Sequence, residues 1–127
     1  MLFIVASSVL APEAALARNS THIRIFVGTV TAYTSSPKAV TASGVPPSSG
    51  IVACPRRYPL GTRFRIEGKI YECRDRLSRK YEGRLDIWKP TDLAARLFGK
   101  RKLPIVALMP SDIKSIAAEL HLRLVRE

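Results

Sequence analysis

Apolar and polar residues alternate along several short segments of this chain, which is the pattern of half-buried β-strands. In the first, residues 22–34, the β-branched residues Ile23, Ile25 and Val27 occupy every second position. Glycine and proline residues separate the segments. The later segments are residues 51–54, 62–66, 69–75, 85–88 and 103–109. The pattern predicts a mainly β domain over residues 22–109, with about six strands in a small barrel or sandwich.

Two stretches have helical periodicity instead. Residues 92–98 follow Thr91, a suitable N-cap, and end before Gly99, so a short helix is predicted before the last strand. Residues 111–127 are predicted to form a C-terminal amphipathic helix outside the core. Its apolar face comprises Ile113, Ile116, Ala117, Leu120 and Leu124.

Alternation also assigns side chains to the faces of the strand at residues 69–75. The preceding Glu67-Gly68 is typical of a two-residue hairpin loop. If the strand is regular, Cys73 and Asp75 share one face. Arg74 and Arg76 then point to the opposite face, away from the Asp75 carboxylate.

The N-terminus has the features of a secretory signal peptide over residues 1–17. An apolar run at residues 2–10 precedes Ala15-Leu16-Ala17, a small-x-small cleavage pattern. The run is too short for a transmembrane helix, and an apolar N-terminal helix is the alternative. In an oxidising compartment Cys54 and Cys73 are expected to form one disulfide. Two buried free thiols are the alternative.

The chain has 127 residues, which suits one domain, with 21 basic and 10 acidic residues and a net charge of +11. This charge favours a polyanionic partner: nucleic acid, anionic lipid or cell-wall polymer. Nucleic acid is disfavoured by the export signal and by the lack of interleaved aromatic and basic residues. No metal site is expected, since no CxxC spacing occurs and both histidines are distant in sequence. The oligomeric state stays open.

A series of short motifs follows one known order. They are Val30-Thr31-Ala32-Tyr33-Thr34, Thr41-Ala42-Ser43-Gly44, Tyr58-Pro59-Leu60-Gly61-Thr62, Asp75, Arg84-Leu85-Asp86 and the helix end at residues 94–99. In this order the chain resembles the three-aspartate (3D) domain, a six-stranded double-psi β-barrel. That barrel occurs in membrane-bound lytic transglycosylase A and stationary-phase survival proteins, and rare lipoprotein A has a related one. The resemblance covers roughly residues 27–108.

The resemblance implies an exported, periplasmic or extracellular enzyme that cleaves peptidoglycan glycan strands without a cofactor. Such lytic cleavage needs one carboxyl group, which protonates the glycosidic oxygen and then accepts the proton of the sugar's own 6-hydroxyl. Asp75 is the candidate for this acid/base role, and Asp86 would orient substrate or support the site. Alternatively, both aspartates are structural, and the domain is a non-catalytic peptidoglycan-binding module of the same fold.

Further residues are candidates for substrate binding. Tyr33 and Trp88 could stack on sugar rings, although each could equally belong to the core. Thr41, Ser43 and Gly44 lie in a loop rich in small residues, where they would bind sugar hydroxyls or shape the loop.

The chain departs from the family pattern in two places. Cys54 stands where the family has its first aspartate, and Arg76-Leu77-Ser78 replace the glycines that usually follow the second. The first change removes a carboxylate, and the second alters the loop beside Asp75. We hypothesise that a Cys54–Cys73 bridge replaces the lost carboxylate interaction beside the cleft.

Overall fold

The computed structural model describes residues 23–126, so the predicted signal peptide at residues 1–17 lies outside the described part. Residues 23–126 form a closed β-barrel with the strand order β1-β5-β2-β4-β3-β6. The six strands are β1 (Arg24–Tyr33), β2 (Ile51–Cys54), β3 (Arg63–Ile66), β4 (Lys69–Arg76), β5 (Arg84–Trp88) and β6 (Arg101–Leu108). The two α-helices of this range are α1 (Asp92–Phe98) and α2 (Pro110–Arg126).

The predicted fold class is confirmed: a mainly β, six-stranded barrel with a short helix before the last strand and a C-terminal helix. The pairs β1–β5 and β2–β4 are parallel, and the other four neighbouring pairs are antiparallel. A closed mixed barrel of this kind is consistent with the double-psi arrangement. A 3-10 turn at Arg79–Tyr81, before β5, was not predicted.

Local sequence signals set the connections between these elements. Glu67 and Gly68 both have positive φ, at 50° and 75°, so they form the predicted two-residue hairpin loop between β3 and β4. The Thr91 side chain accepts a hydrogen bond from the Ala94 N–H at 3.1 Å and caps α1. Gly99, with φ of 68°, ends that helix.

The barrel interior is filled by alternate residues of every strand. Val30, Val52, Phe64, Ile87 and Ile105 are almost completely buried and belong to one hydrophobic cluster. Each fully buried side chain of this size contributes about 1.5–3 kcal/mol through removal from water. The inward alternation therefore stabilises the closed barrel.

Cys54 of β2 and Cys73 of β4 form the predicted disulfide, with their Cα atoms 5.7 Å apart. Both residues are completely buried within the hydrophobic cluster. The bridge therefore ties two neighbouring strands together from inside the barrel. The bridge lies two residues before Asp75, on the inner face of the barrel.

A β-bulge interrupts β4 just before Asp75. Val52 pairs with Cys73, whereas the next residue of β2, Ala53, pairs with Asp75, so Arg74 is the extra residue. The bulge turns Asp75 to the face opposite that of Cys73. The expectation that Cys73 and Asp75 share one face was therefore wrong.

The same bulge reverses the orientation of Arg76. This residue pairs with the buried Cys54, and its guanidinium donates to the carbonyl oxygens of Tyr58 at 2.6 Å and Pro55 at 3.0 Å. Arg76 therefore lies on the side of the strand away from Asp75, and its charge is satisfied by backbone acceptors at the end of the barrel.

Helix α2 is anchored only at its start. The Met109 N–H donates to Asp112 Oδ2 at 3.1 Å, and Asp112 is buried there. Ile113 and Ile116 are half-buried, but residues from Ala117 onward are exposed. The predicted apolar face therefore packs near the barrel for its first turns only. Within residues 23–126, no helix has the length and hydropathy needed to cross a bilayer.

Candidate active site

Four strands place a row of side chains across the outer face of the barrel. Thr31 of β1 pairs with Asp86 of β5, and Ala53 of β2 pairs with Asp86 on one side and with Asp75 of β4 on the other. Laterally paired residues share a face, and neighbouring strands lie about 4.8 Å apart, so the aspartate Cα atoms are about 10 Å apart. Only the methyl group of Ala53 lies between them.

Asp75 is surrounded by hydrogen-bond donors. Its Oδ2 accepts from the Tyr33 hydroxyl at 2.7 Å. Its Oδ1 accepts from the backbone N–H groups of Arg76 at 2.9 Å and Ala42 at 3.1 Å. Three donors aimed at one carboxyl group restrict its orientation. The arrangement suits a carboxylate with a defined orientation.

Asp86 has a different environment. One oxygen, Oδ1, accepts from the Thr31 hydroxyl at 2.9 Å, and within residues 23–126 the other oxygen has no hydrogen-bond donor. Burial raises the pKa of the Asp86 carboxyl; the Thr31 hydrogen bond and the Arg84 charge oppose this shift, and the charge of Asp75 adds to it. Asp86 therefore keeps its proton to higher pH than an exposed aspartate.

Tyr33 donates its hydroxyl hydrogen bond to Asp75 and lies close enough to Asp86 to be affected by its charge. Burial raises the pKa of its hydroxyl strongly, and the hydrogen bond to Asp75 and the charges of Asp75 and Asp86 raise it further. The hydroxyl therefore remains a proton donor to Asp75 across the physiological range. The structure places the Tyr33 hydroxyl, rather than its ring face, against the candidate catalytic group.

The loop of residues 34–50 closes over this face of the barrel. The Ser43 N–H donates to the Arg74 carbonyl at 2.9 Å, beside the bond from Ala42 to Asp75. The Thr41 hydroxyl donates to the Val45 carbonyl at 2.7 Å and lies 3.0 Å from the Ser43 hydroxyl. Gly44, with φ of 85°, makes the tight turn between them. These three predicted binding residues shape the loop that carries a donor to Asp75.

Trp88 is mostly buried two residues after Asp86. Its indole N–H donates to the Ser35 hydroxyl at 3.1 Å, so the ring ties the loop to β5. The edge of Trp88 contributes to a surface cavity of about 460 Å³. A second cavity of about 500 Å³ lies beside Glu72 and Arg74, on the other side of Gly50. Neither cavity is lined by Asp75 or Asp86.

The structure brings together Asp75, Asp86, Tyr33, Thr41, Ser43 and Gly44, and places Cys54 and Cys73 on the other side of the strands. Sequence reasoning missed Thr31 and Ala42 as hydrogen-bond donors to the aspartates. Both lie inside motifs that carried the resemblance, so motif membership was a usable signal. Among residues 23–126, no three histidine, cysteine or acidic side chains converge on a possible metal position.

The fold and the site together define a closed six-stranded mixed β-barrel with a hydrogen-bonded aspartate pair under a surface loop. The chain matches no protein-family model, no curated protein and no solved structure.

Proposed function

We propose that the domain cleaves peptidoglycan glycan strands by a lytic transglycosylase-like reaction, as expected for a 3D-like double-psi barrel. The observation that carries the proposal is the pair of aspartates in one row with opposite environments. Three hydrogen bonds hold the Asp75 carboxyl group in one orientation, and burial raises the pKa of Asp86. Two carboxyl groups that lie near one another in different environments are typical of glycan-cleaving sites.

The sequence predicts Asp75 for both proton transfers, and the geometry favours dividing them. Asp86 donates its proton to the glycosidic oxygen as the bond from the anomeric carbon to that oxygen breaks. The 6-hydroxyl oxygen of the same sugar bonds to the anomeric carbon, and its proton passes to the Asp75 carboxylate. The product is an internal ether, no water is consumed, and solvent returns the proton from Asp75 to Asp86.

Export to the cell wall is part of the proposal. A fully buried disulfide suits an oxidising compartment, and a net charge of +11 suits a polyanionic wall. The predicted signal peptide supports the same location.

A non-catalytic wall-binding module of the same fold is the second candidate. The hydrogen bonds at Asp75 favour this second candidate. Two of the three donors are backbone N–H groups, and accepting hydrogen bonds from such groups is the usual role of a structural aspartate. The family's first aspartate is also absent, because Cys54 occupies its position and is bonded to Cys73.

Muropeptide analysis of purified walls separates the two candidates. We expect the wild type to release anhydro-muropeptides, and Asp75→Asn and Asp86→Asn each to lower the rate about a hundredfold or more. Asp92→Asn, an exposed position at the start of α1, is the matched control and should retain full activity. Activity should also fall as pH rises through the raised pKa of Asp86, because the protonated form is the donor.

All four proteins should still sediment with insoluble walls, since the substitutions leave the basic surface in place. A wild type that sediments but releases no product from walls of differing cross-linking would establish the binding module instead.

A further inference from the structure

Two cations meet on one aromatic ring next to the candidate active site. The guanidinium carbon of Arg84 lies 4.1 Å from the centroid of the Tyr81 ring, and Lys80 Nζ lies 4.9 Å from the same centroid. Tyr81 is 41% exposed, so this cluster of Lys80, Tyr81 and Arg84 is open to solvent. Stacking on the ring holds the planar guanidinium in one orientation.

No carboxylate within residues 23–126 forms a salt bridge with either cation. The acidic residue nearest in sequence, Glu82, is paired with Arg56, and its carbonyl oxygen accepts from Arg57 at 3.2 Å. Of the Arg84 side-chain nitrogens, only Nε is sealed from solvent without a partner. The terminal nitrogens form no hydrogen bond with the described residues, so they are available to a ligand.

The position of Arg84 links this cluster to the aspartate row. Arg84 precedes Asp86 by two residues on β5, so the side chains share a face and lie about 7 Å apart along the strand. The Arg84 charge is near enough to oppose the rise in the pKa of Asp86. A sugar residue next to the cleaved glycosidic bond would reach the cluster.

We infer that Arg84, with Lys80 and Tyr81, binds a carboxylate on the glycan next to the bond that is cleaved. The identity of the ligand rests on the proposed function. A planar guanidinium with free terminal N–H groups matches a carboxylate through two parallel hydrogen bonds. Lys80 adds a second positive charge to the same place, and neither charge has an acidic partner in the described chain.

The nearby Asp86 does not prevent such binding. Burial favours its neutral form, and its one hydrogen bond is to Thr31 on the side away from β2. Lys80 lies with Arg84 against the Tyr81 ring, and the carboxylate nearest to them in sequence, that of Glu82, is paired with Arg56. A ligand carboxylate would therefore approach Arg84 from the side of Lys80 and Tyr81 and form a charge-assisted hydrogen-bonded pair with its guanidinium.

Binding of a muramic acid-containing tetrasaccharide tests the inference. Calorimetry would measure the affinity for two forms of this tetrasaccharide, one with a free lactyl carboxylate and one with the lactyl group converted to its methylamide. The protein carries Asp75→Asn so that the ligand stays intact. We expect Arg84→Gln to weaken binding of the carboxylate form by about tenfold or more and to leave the methylamide form unchanged. Arg84→Lys should recover only part of the loss, because the ammonium lacks the planar fork.

Substitutions at two positions control for the loss of a positive charge and for the contribution of the Tyr81 ring. Arg96→Gln removes an exposed positive charge on α1 and should not change either affinity. Tyr81→Phe keeps the ring face and should bind normally, whereas Tyr81→Ala should weaken carboxylate binding. Thermal unfolding midpoints establish that each variant is folded.

Equal losses for both ligands, or no loss with Arg84→Gln, would overturn the inference while leaving glycan cleavage by the wild type intact. If the wild type cleaves no wall, the series is repeated in the wild-type background. Carboxylate-selective binding that depends on Arg84 would then support the subsite although the proposed reaction had failed.

Discussion

Asp75 and Asp86 are the same kind of side chain in one row, yet their surroundings give them opposite properties. Asp75 meets three donors, whereas Asp86 meets one hydroxyl and is half-buried. Removal from water disfavours a charge unless hydrogen bonds replace the lost hydration. The number of donors therefore distinguishes the surroundings of the two carboxyl groups, and burial raises the pKa of Asp86.

The raised pKa of Asp86 predicts how this residue affects stability with pH. The folded state binds this proton more tightly than the unfolded state, so the free energy of unfolding falls as pH rises from the unfolded to the folded pKa. Asp86→Asn keeps an acceptor for Thr31 but cannot ionise. We expect it to gain stability relative to the wild type on going from pH 4 to pH 7.

Urea unfolding at both pH values measures that difference, with Asp92→Asn as the exposed control. A gap between Asp86→Asn and the wild type that stays constant with pH would show that burial at Asp86 does not affect its ionisation.

Strand β4 combines three features within a few residues. Cys73 is bonded inward to β2, Arg74 forms the bulge, and Asp75 points outward toward Tyr33. The disulfide anchors the strand immediately before the bulge, which keeps the register of the pairing with β2. The candidate catalytic side chain is thus oriented by an irregular part of a strand, and a disulfide fixes the residue pair just before it.

Loss of the disulfide should destabilise the barrel. The bridge spans a sequence separation of 19 residues, for which the chain-entropy model predicts a contribution of about 3 kcal/mol. We expect the free energy of unfolding, measured in urea, to be higher by about that amount for the oxidised wild type than for the same protein under reducing conditions.

The Cys54→Ala, Cys73→Ala double variant, which has no thiols, should not respond to the reductant. An oxidised and a reduced wild type of equal stability would show that the bridge does not restrict the unfolded chain.

The whole molecule is a barrel with one element extending from it. The last ten residues of α2 are exposed, with 55% of Leu120 and 74% of Leu124 accessible. Near the start of α2, Asp112 is buried and Ile113 and Ile116 are half-buried. The barrel therefore owes its stability to its own core and not to the end of the helix.

Truncation after Ile116 tests this division. Since the removed side chains are exposed, the free energy of unfolding should change by no more than about 0.5 kcal/mol. The measurement is urea unfolding of the two forms under the same conditions, with Ile113→Ala as the comparison at the packed end. A loss of several kcal/mol on truncation would show that the end of α2 packs on the barrel in solution.

Local patterns were enough to predict much of this fold. Strand positions follow from alternation, the Glu67-Gly68 loop and the Thr91 and Gly99 caps from residue chemistry, and the disulfide from the number of cysteines. Each of these depends on a few neighbouring residues or on a simple count, and so can be inferred from the chain alone.

Long-range pairing decided the rest. The bulge at Arg74 exists because β4 meets β2 out of regular register, and one extra residue reverses the face of every side chain after it. The donors from Ala42 and Tyr33 reach Asp75 across 33 and 42 residues of sequence, and no local periodicity encodes such a meeting. Residue types along the chain therefore specified a barrel with two acids, and only tertiary pairing determined which face each acid occupies and that burial raises the pKa of Asp86.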